Sequence, residues 1–231
     1  MILKWHSKIT FNNRTRVVER TYEALNSNNQ IIAKAEAVPN HSFSLKEPPC
    51  KAVLLMNNEK YWVQSEFRYG CDWHLIDANQ NVVMTLHPSS ENYIRKKKKL
   101  FSKTEVEVET SMYVDNLIIN NRTFSLYRVS LGKGKQYIVI QENGEVVSTI
   151  HIYDAVINYA QCQDLYCVND KTVIDATIMY CYLYNVYFNW TTDESVIQHN
   201  GCYTNVKAKN TDPYLLSKFS QEFIDKIIAE N

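Results

Sequence analysis

The sequence predicts a mainly β protein, a sandwich or barrel, with one buried helix late in the chain and an amphipathic helix at the C-terminus. Three observations carry this. Short apolar runs separated by turn residues fill the first two-thirds of the chain, the spacing expected of an all-β domain. A segment apolar on nearly every side, 171–188, follows them. An apolar stripe at helical spacing closes the chain within 212–229.

The strands come first. Residues 16–24 (RVVERTYEA) and 30–37 (QIIAKAEA) are short runs bounded by Asn and Pro. Pro39, Pro48 and Pro49 mark a loop before 51–67, where Asn57-Asn58 separates two apolar runs and predicts a hairpin. Residues 72–77 and 81–87 flank a polar turn. Further strands are expected at 104–112, 114–119, 122–131, 135–141, 145–152 and 164–169, with turns at Asn120-Asn121, Gly132–Gly134 and Asn143-Gly144. The 16 Tyr against 5 Gly and 5 Pro suit pleated, half-buried strands.

Two hairpins repeat. WHLIDANQNVVMTLH from Trp73 and YIVIQENGEVVSTIH from Tyr137 align without a gap, placing Val82, Val83, Thr85 and His87 on Val146, Val147, Thr149 and His151. A duplicated strand–turn–strand unit is expected, with Val83 and Val147 oriented alike to the core. His87 and His151 close their strands and are assigned no chemistry.

Residues 171–188 (KTVIDATIMYCYLYNVYF) are too few to span a bilayer as a helix, and Asp175 and Asn185 interrupt them. Their Tyr and Val content also suits a strand, but the length favours a helix, and a helix apolar all round must be enclosed by protein. A barrel closed around it would do this. Asp175 is expected near its start. Residues 189–211 read as polar and irregular. Asp212 and Pro213 then predict a helix start. Leu215, Leu216, Phe219, Phe223, Ile224, Ile227 and Ile228 form its apolar stripe, with Lys218, Glu222, Asp225 and Lys226 on the wet side. The stripe is expected to dock on the chain's own barrel, a partner or a membrane surface being the alternative.

With 231 residues, 45% apolar and 22% charged, the chain can bury a core without staples. Its 25 basic and 25 acidic residues cancel, which argues against a wholesale nucleic-acid binder. The N-terminus has no apolar stretch of signal-peptide length, so a cytoplasmic location is expected. The 6 Cys lack metal or disulfide-framework spacing and read as reduced, with Cys162 and Cys167 expected to be buried.

Strand–turn–strand units followed by an apolar helix resemble the LURP-one-related proteins, which share the tubby C-terminal-like fold. DWHLIDANQNVVMTLH and its copy are similar to the family's hairpins. IRKKKKLFSK, 94–103, looks like the basic stretch after the first hairpin. LYCVNDKTVIDATIMYCYLYNVYF, 165–188, looks like the family's helix. The likeness covers about 50–188. The sequence departs from the pattern at Gln80, where a Gly is expected, in its Tyr-rich helix, and in the 43 residues that follow position 188. The resemblance implies a closed antiparallel barrel of about twelve strands in residues 1–190, threaded by helix 171–188, with 191–231 as an extension. It implies no catalysis; relatives bind phosphoinositides or act on membranes.

No GxGxxG, GxxxxGK[ST], HExxH or GxSxG motif occurs, and the expected function is non-enzymatic, with no cofactor or metal. The one concentrated charge feature is Arg95, Lys96, Lys97, Lys98 and Lys99, with Lys103 close by. These six are the candidate lipid-binding residues. Successive cations alternate faces on a strand, so part of the run is expected in a loop. The expectation is a module contacting phosphoinositide or acidic membrane lipid, peripheral to the membrane. The alternative is a scaffold whose lysines only solubilise it, balanced by Glu105, Glu107 and Glu109.

Overall fold

The computed structural model describes residues 1–12, 17–39, 50–65, 71–98, 105–132, 135–153, 155–156, 160–188, 203–204 and 212–231. Turn chemistry sets the strand order. Asn57-Asn58, Asn120-Asn121 and Asn143-Gly144 all have positive φ, the geometry that lets a two-residue turn match the twist of its flanking strands. The chain therefore folds back on itself repeatedly. The strands are β1 (Ile2–Asn12), β2 (Val17–Leu25), β3 (Ile31–Pro39), β4 (Cys50–Met56), β5 (Glu59–Ser65) and β6 (Trp73–Ile76), then β7 (Val82–Lys98), β8 (Glu105–Ile119), β9 (Arg122–Gly132), β10 (Lys135–Glu142), β11 (Glu145–Tyr153), β12 (Ala155–Val156), β13 (Ala160–Cys167) and β14 (Tyr203–Thr204).

Twelve of them close into one antiparallel barrel in the order β1-β13-β11-β10-β9-β8-β7-β6-β5-β4-β3-β2, and β12 pairs with β14 in a separate two-stranded sheet. Strand β1 was not expected from the sequence. It closes the barrel by lying between β2 and β13.

Inward positions alternate along the barrel strands outside their bulges, where the side chains are described, as the pleat requires. Leu75, Met84, Leu86, Leu117, Phe124, Leu126, Ile138, Ile140, Ile150 and Leu165 fill one side of the interior. Ala24, Ala33, Ala35, Ala37 and Ala52 line β2 to β4 with small side chains, leaving room for what the barrel encloses. That is helix α1 (Lys171–Leu183), continued by a π-helical turn, Tyr184–Phe188. Ala176 to Leu183 are buried without exception. The 171–188 segment is thus the enclosed helix, and the barrel interior is taken by the protein itself.

The helix starts on Asp170, not Asp175. Asp170 has extended backbone and accepts the Val173 N–H at 3.0 Å, satisfying a donor that the first turn leaves open. Both Asp170 oxygens also accept from Arg122 Nη1, at 2.9 and 3.0 Å, and Arg122 holds Glu142 at 2.6 and 2.7 Å. Asp175 lies one turn further on, paired with Lys171 at 2.5 Å. At the far end, buried Asn185 donates to the Cys181 carbonyl at 2.7 Å and exchanges hydrogen bonds with Gln163 at 3.1 and 3.3 Å. Its own carbonyl accepts from Arg20 and Tyr22 at 3.1 and 3.3 Å. The Tyr180 hydroxyl is buried. Burial pushes that phenol well up, opposed by the nearby positive charge of Arg128.

The hairpin repeat holds for its second strands and slips in its first. Leu75 pairs Met84 and Ile76 pairs Val82, skipping Val83; Ile140 pairs Ser148 and Gln141 pairs Val146, skipping Val147. Val83 and Val147 are the same bulge residue, both half-buried against the main core. Before the turns, however, Leu75 faces the barrel interior whereas its aligned partner Val139 faces the outer cluster. The first turn runs from Asp77 to Asn81 and the second needs only Asn143-Gly144, so the preceding strands differ by one residue and exchange faces. Gln80, where the family pattern expects Gly, has φ 66. Asp77 Oδ1 braces that turn by accepting from the N–H groups of Asn79 and Asn81 at 2.8 and 2.9 Å.

The C-terminal helix is two helices, α2 (Pro213–Leu216) and α3 (Gln221–Ala229), because Ser220 caps a second start by accepting from Phe223 N–H. The stripe docks on the barrel. Leu215 and Phe219 pack with Val114, Tyr127, Val129 and Val139, while Ile224 and Ile227 are buried. Leu216 and Ile228 are exposed. Lys218 is not on the wet side. Its ammonium sits 4.6 Å over both the Tyr127 and Tyr214 rings, with the side chain only 19% exposed. No helix among the described residues is long and apolar enough to cross a membrane.

Candidate functional site: a ribbon beyond the barrel rim

Strands β7 and β8 are much longer than the barrel wall needs. Strand β6 covers β7 only from Val82 to Leu86, and β9 covers β8 only from Asp115 to Ile119. Beyond these points β7 and β8 pair only with each other, from Ser89↔Val114 to Lys98↔Glu105. Among the described residues this two-stranded ribbon has no further strand beside it. The sequence suggested a loop for part of the cationic run, because successive cations alternate faces on a strand. What extends β7 is the facing strand, where acidic residues alternate with valine.

The register places the candidate lipid residues. Arg95 lies opposite Val108, Lys96 opposite Glu107, Lys97 opposite Val106 and Lys98 opposite Glu105. Arg95 to Lys98 are therefore strand residues, and Lys99 and Lys103 lie outside the described residues. The run also divides by face. Arg95 points to the side covered by the C-terminal segment and forms an ion pair with Asp212 at 3.1 Å. Lys96 is exposed on the opposite side, in a face with Asn92, Ile94, Glu105, Glu107 and Glu109. Cross-strand cation–carboxylate placement of this kind stabilises a ribbon by a few tenths of a kcal/mol per pair, up to about 1.

The covered side is held by a compact polar node. Glu91 accepts from the hydroxyls of Tyr127, at 3.0 Å, and Tyr214, and pairs with Lys218 at 3.7 Å. Tyr93 stacks on Tyr214 with ring centres 4.4 Å apart. Partial burial would raise the Glu91 carboxyl, but the Tyr214, Tyr127 and Lys218 contacts outweigh it and hold the group below its usual range. Sequence reasoning assigned these residues no role; the i, i+2 spacing of Glu91, Tyr93 and Arg95 on one strand face was the available signal. The open side differs. Ile94 is 68% exposed, the most exposed large apolar side chain among the described residues. It borders a shallow recess of about 390 Å³ lined by Asn92, Tyr93, Ile94, Glu107 and Glu109.

His74 Nδ1 lies 3.0 Å from the Thr85 hydroxyl, and His41 and His199 lie outside the described residues. His87 Nδ1 lies 2.6 Å from Asp72 on the outer surface, and His151 lies between the Tyr137 and Tyr153 rings at 4.5 and 4.2 Å. Among the described residues no group of three or more His, Cys, Asp or Glu could hold a metal ion. Cys71, Cys162, Cys167 and Cys181 are free thiols, Cys167 and Cys181 buried, and Cys162 exposed where burial was expected.

The fold and this ribbon define a helix-filled antiparallel barrel with a projecting two-stranded arm. No protein-family profile, curated protein or solved structure matches the chain.

Proposed function

We propose that the chain is a non-enzymatic interaction module of tubby-like build, working in the cytoplasm, that contacts a protein partner through the β7–β8 ribbon. The observation that carries this is the ribbon itself: paired strand beyond the barrel wall, braced on one side by the C-terminal segment and open on the other, with Ile94 68% exposed. The enclosed helix occupies the interior, so an internal ligand site of the kind found in hollow barrels has no room. Lys96 and Lys98 stand opposite Glu107 and Glu105, and Arg95 is engaged by Asp212, which favours a protein partner over an anionic bilayer. A second reading is contact with phosphoinositide or acidic membrane lipid through Lys96 to Lys99; the exposure of Lys96 beside Ile94 favours it.

The test is a photo-crosslinking residue at position 94 compared with one at Ile31, which is 55% exposed on the barrel wall. A discrete crosslinked protein species in cells from position 94 and not from 31 is the expected result. Equal, diffuse labelling from both positions overturns the reading. Co-sedimentation with acidic and phosphoinositide-containing liposomes at low salt decides the lipid alternative, because such binding weakens as salt screens it.

A further inference from the structure

The ribbon's outer edge offers more than a surface. From Glu105 to Met112, β8 pairs only with β7 among the described residues. In an antiparallel pair every second residue turns its N–H and C=O away from its partner. One edge of β8 therefore presents a row of backbone donors and acceptors, the template that strand addition uses. The open face beside that edge carries Glu105, Glu107 and Glu109, all exposed and two residues apart, with Lys96 opposite Glu107 on β7, on the side away from the free edge. Asn92 donates to Glu109 at 3.2 Å, and Ile94 stands opposite Glu109 in the register.

We infer that β8 accepts an extended segment of a different protein, with Lys or Arg at alternate positions, as an added strand. The inference rests on the interaction-module reading and names the partner's chemistry. Backbone pairing along Glu105–Met112 supplies the attachment. The glutamate row selects cations at the residues facing it, since opposite charges side by side on a sheet face attract and like charges repel. In the recess beside Ile94, the aliphatic stem of a lysine or arginine lies on the isoleucine while its charged head meets Glu107 and Glu109.

A second copy of this chain does not fit. Pairing β8 with β8 of another copy would set glutamate rows against each other. Stacking translated copies, ribbon on ribbon, would bring two barrels within about 10 Å, two strand spacings, which is less than the width of a twelve-stranded barrel. The charged edge excludes self-pairing and admits a basic strand.

The experiment uses the full chain and three fluorescent peptides of alternating residues: Lys/Val, Glu/Val, and Lys/Val with every second amide N-methylated. Fluorescence anisotropy at low salt is expected to show binding of the first alone. N-methylation keeps the charge and removes backbone donors, so its failure to bind separates strand addition from simple charge attraction. The triple variant E105Q/E107Q/E109Q is expected to bind the Lys/Val peptide about tenfold more weakly, with a melting temperature lowered by no more than a few degrees. Ile94→Ser, at an exposed position, gives a second variant expected to fold normally and bind several-fold more weakly. Equal binding of the methylated peptide, or no binding of the Lys/Val peptide, overturns the inference. If position 94 still crosslinks a protein, the interaction-module reading stands and only the basic-strand partner is wrong; if neither occurs, both fall.

Discussion

Ala35→Leu tests whether the barrel is packed around its helix. Ala35 is 1% exposed on β3, and its cross-strand neighbours Tyr22 and Leu54 are both fully buried. An isobutyl group placed there has no open space to enter, because interiors are close-packed. It must displace either the wall or α1. Overpacking of this kind costs about 1–3 kcal/mol. For a chain of this length each kcal/mol lowers the melting temperature by roughly 2–4 °C, so the expected fall is about 2–12 °C. Lys34→Leu, one residue away on the outer face, is the control and is expected to change stability by less than about 0.5 kcal/mol. Calorimetry and urea unfolding of both variants decide the matter. An Ala35→Leu protein as stable as the parent would show unfilled space behind the alanine wall and refute the packing argument.

Asp170→Ala removes the cap of α1 and one arm of the Arg122 pair, and is expected to cost about 1–2 kcal/mol in urea unfolding, most of it from the cap. The Val173 N–H and Arg122 hold the Asp170 carboxyl low, and Arg122 does the same for Glu142. Their stabilisation is complete above the unfolded carboxylate range and is lost as pH falls below about 4. His151 behaves differently. Its burial between two tyrosine rings depresses its pKa, with Lys135 adding to the effect and Asp164 opposing it. The neutral ring is favoured in the folded state, so stability should decline as pH drops from about 6.5 towards its lowered value. His151→Phe should flatten that part of the pH–stability curve; an unchanged slope would assign it elsewhere. Gln80→Gly relieves a left-handed backbone position and is expected to raise stability by up to about 1 kcal/mol, partly offset by unfolded-state entropy. A loss of stability would show that the Asp77-braced turn is unstrained.

The barrel was legible because its turns are written in Asn and Gly at positions that need positive φ, and because strand alternation is plain in IIAKAEAV and in the repeated hairpins. The enclosed helix was legible from its length and its lack of a polar face. Strand β1 was missed because His6, Ser7, Lys8 and Thr10 give it little apolar contrast. The split of 212–229 into two helices was missed because periodicity continues through Ser220, whose capping role is visible only once Phe223 N–H points at it. The ribbon was the least legible feature. A row of cations looks like solvated chain until the strand opposite supplies glutamates in register, and that register is a property of the pair and not of either segment. Lys218 misled for a related reason: a cation on an apolar stripe belongs in water unless rings and a carboxylate are waiting, and Tyr127, Tyr214 and Glu91 come from distant parts of the chain.

The central claim is that the chain builds its barrel around its own helix, which leaves binding to the outside. Native-state hydrogen exchange of α1 tests this most directly. The amides of Ala176 to Leu183 are predicted to exchange only through global unfolding, with the opening free energy measured independently by urea, while those of Gln221–Ala229 open at lower cost. Exchange of the α1 amides at the rate of the C-terminal helix would mean that the helix leaves the barrel without unfolding it, and would contradict the account.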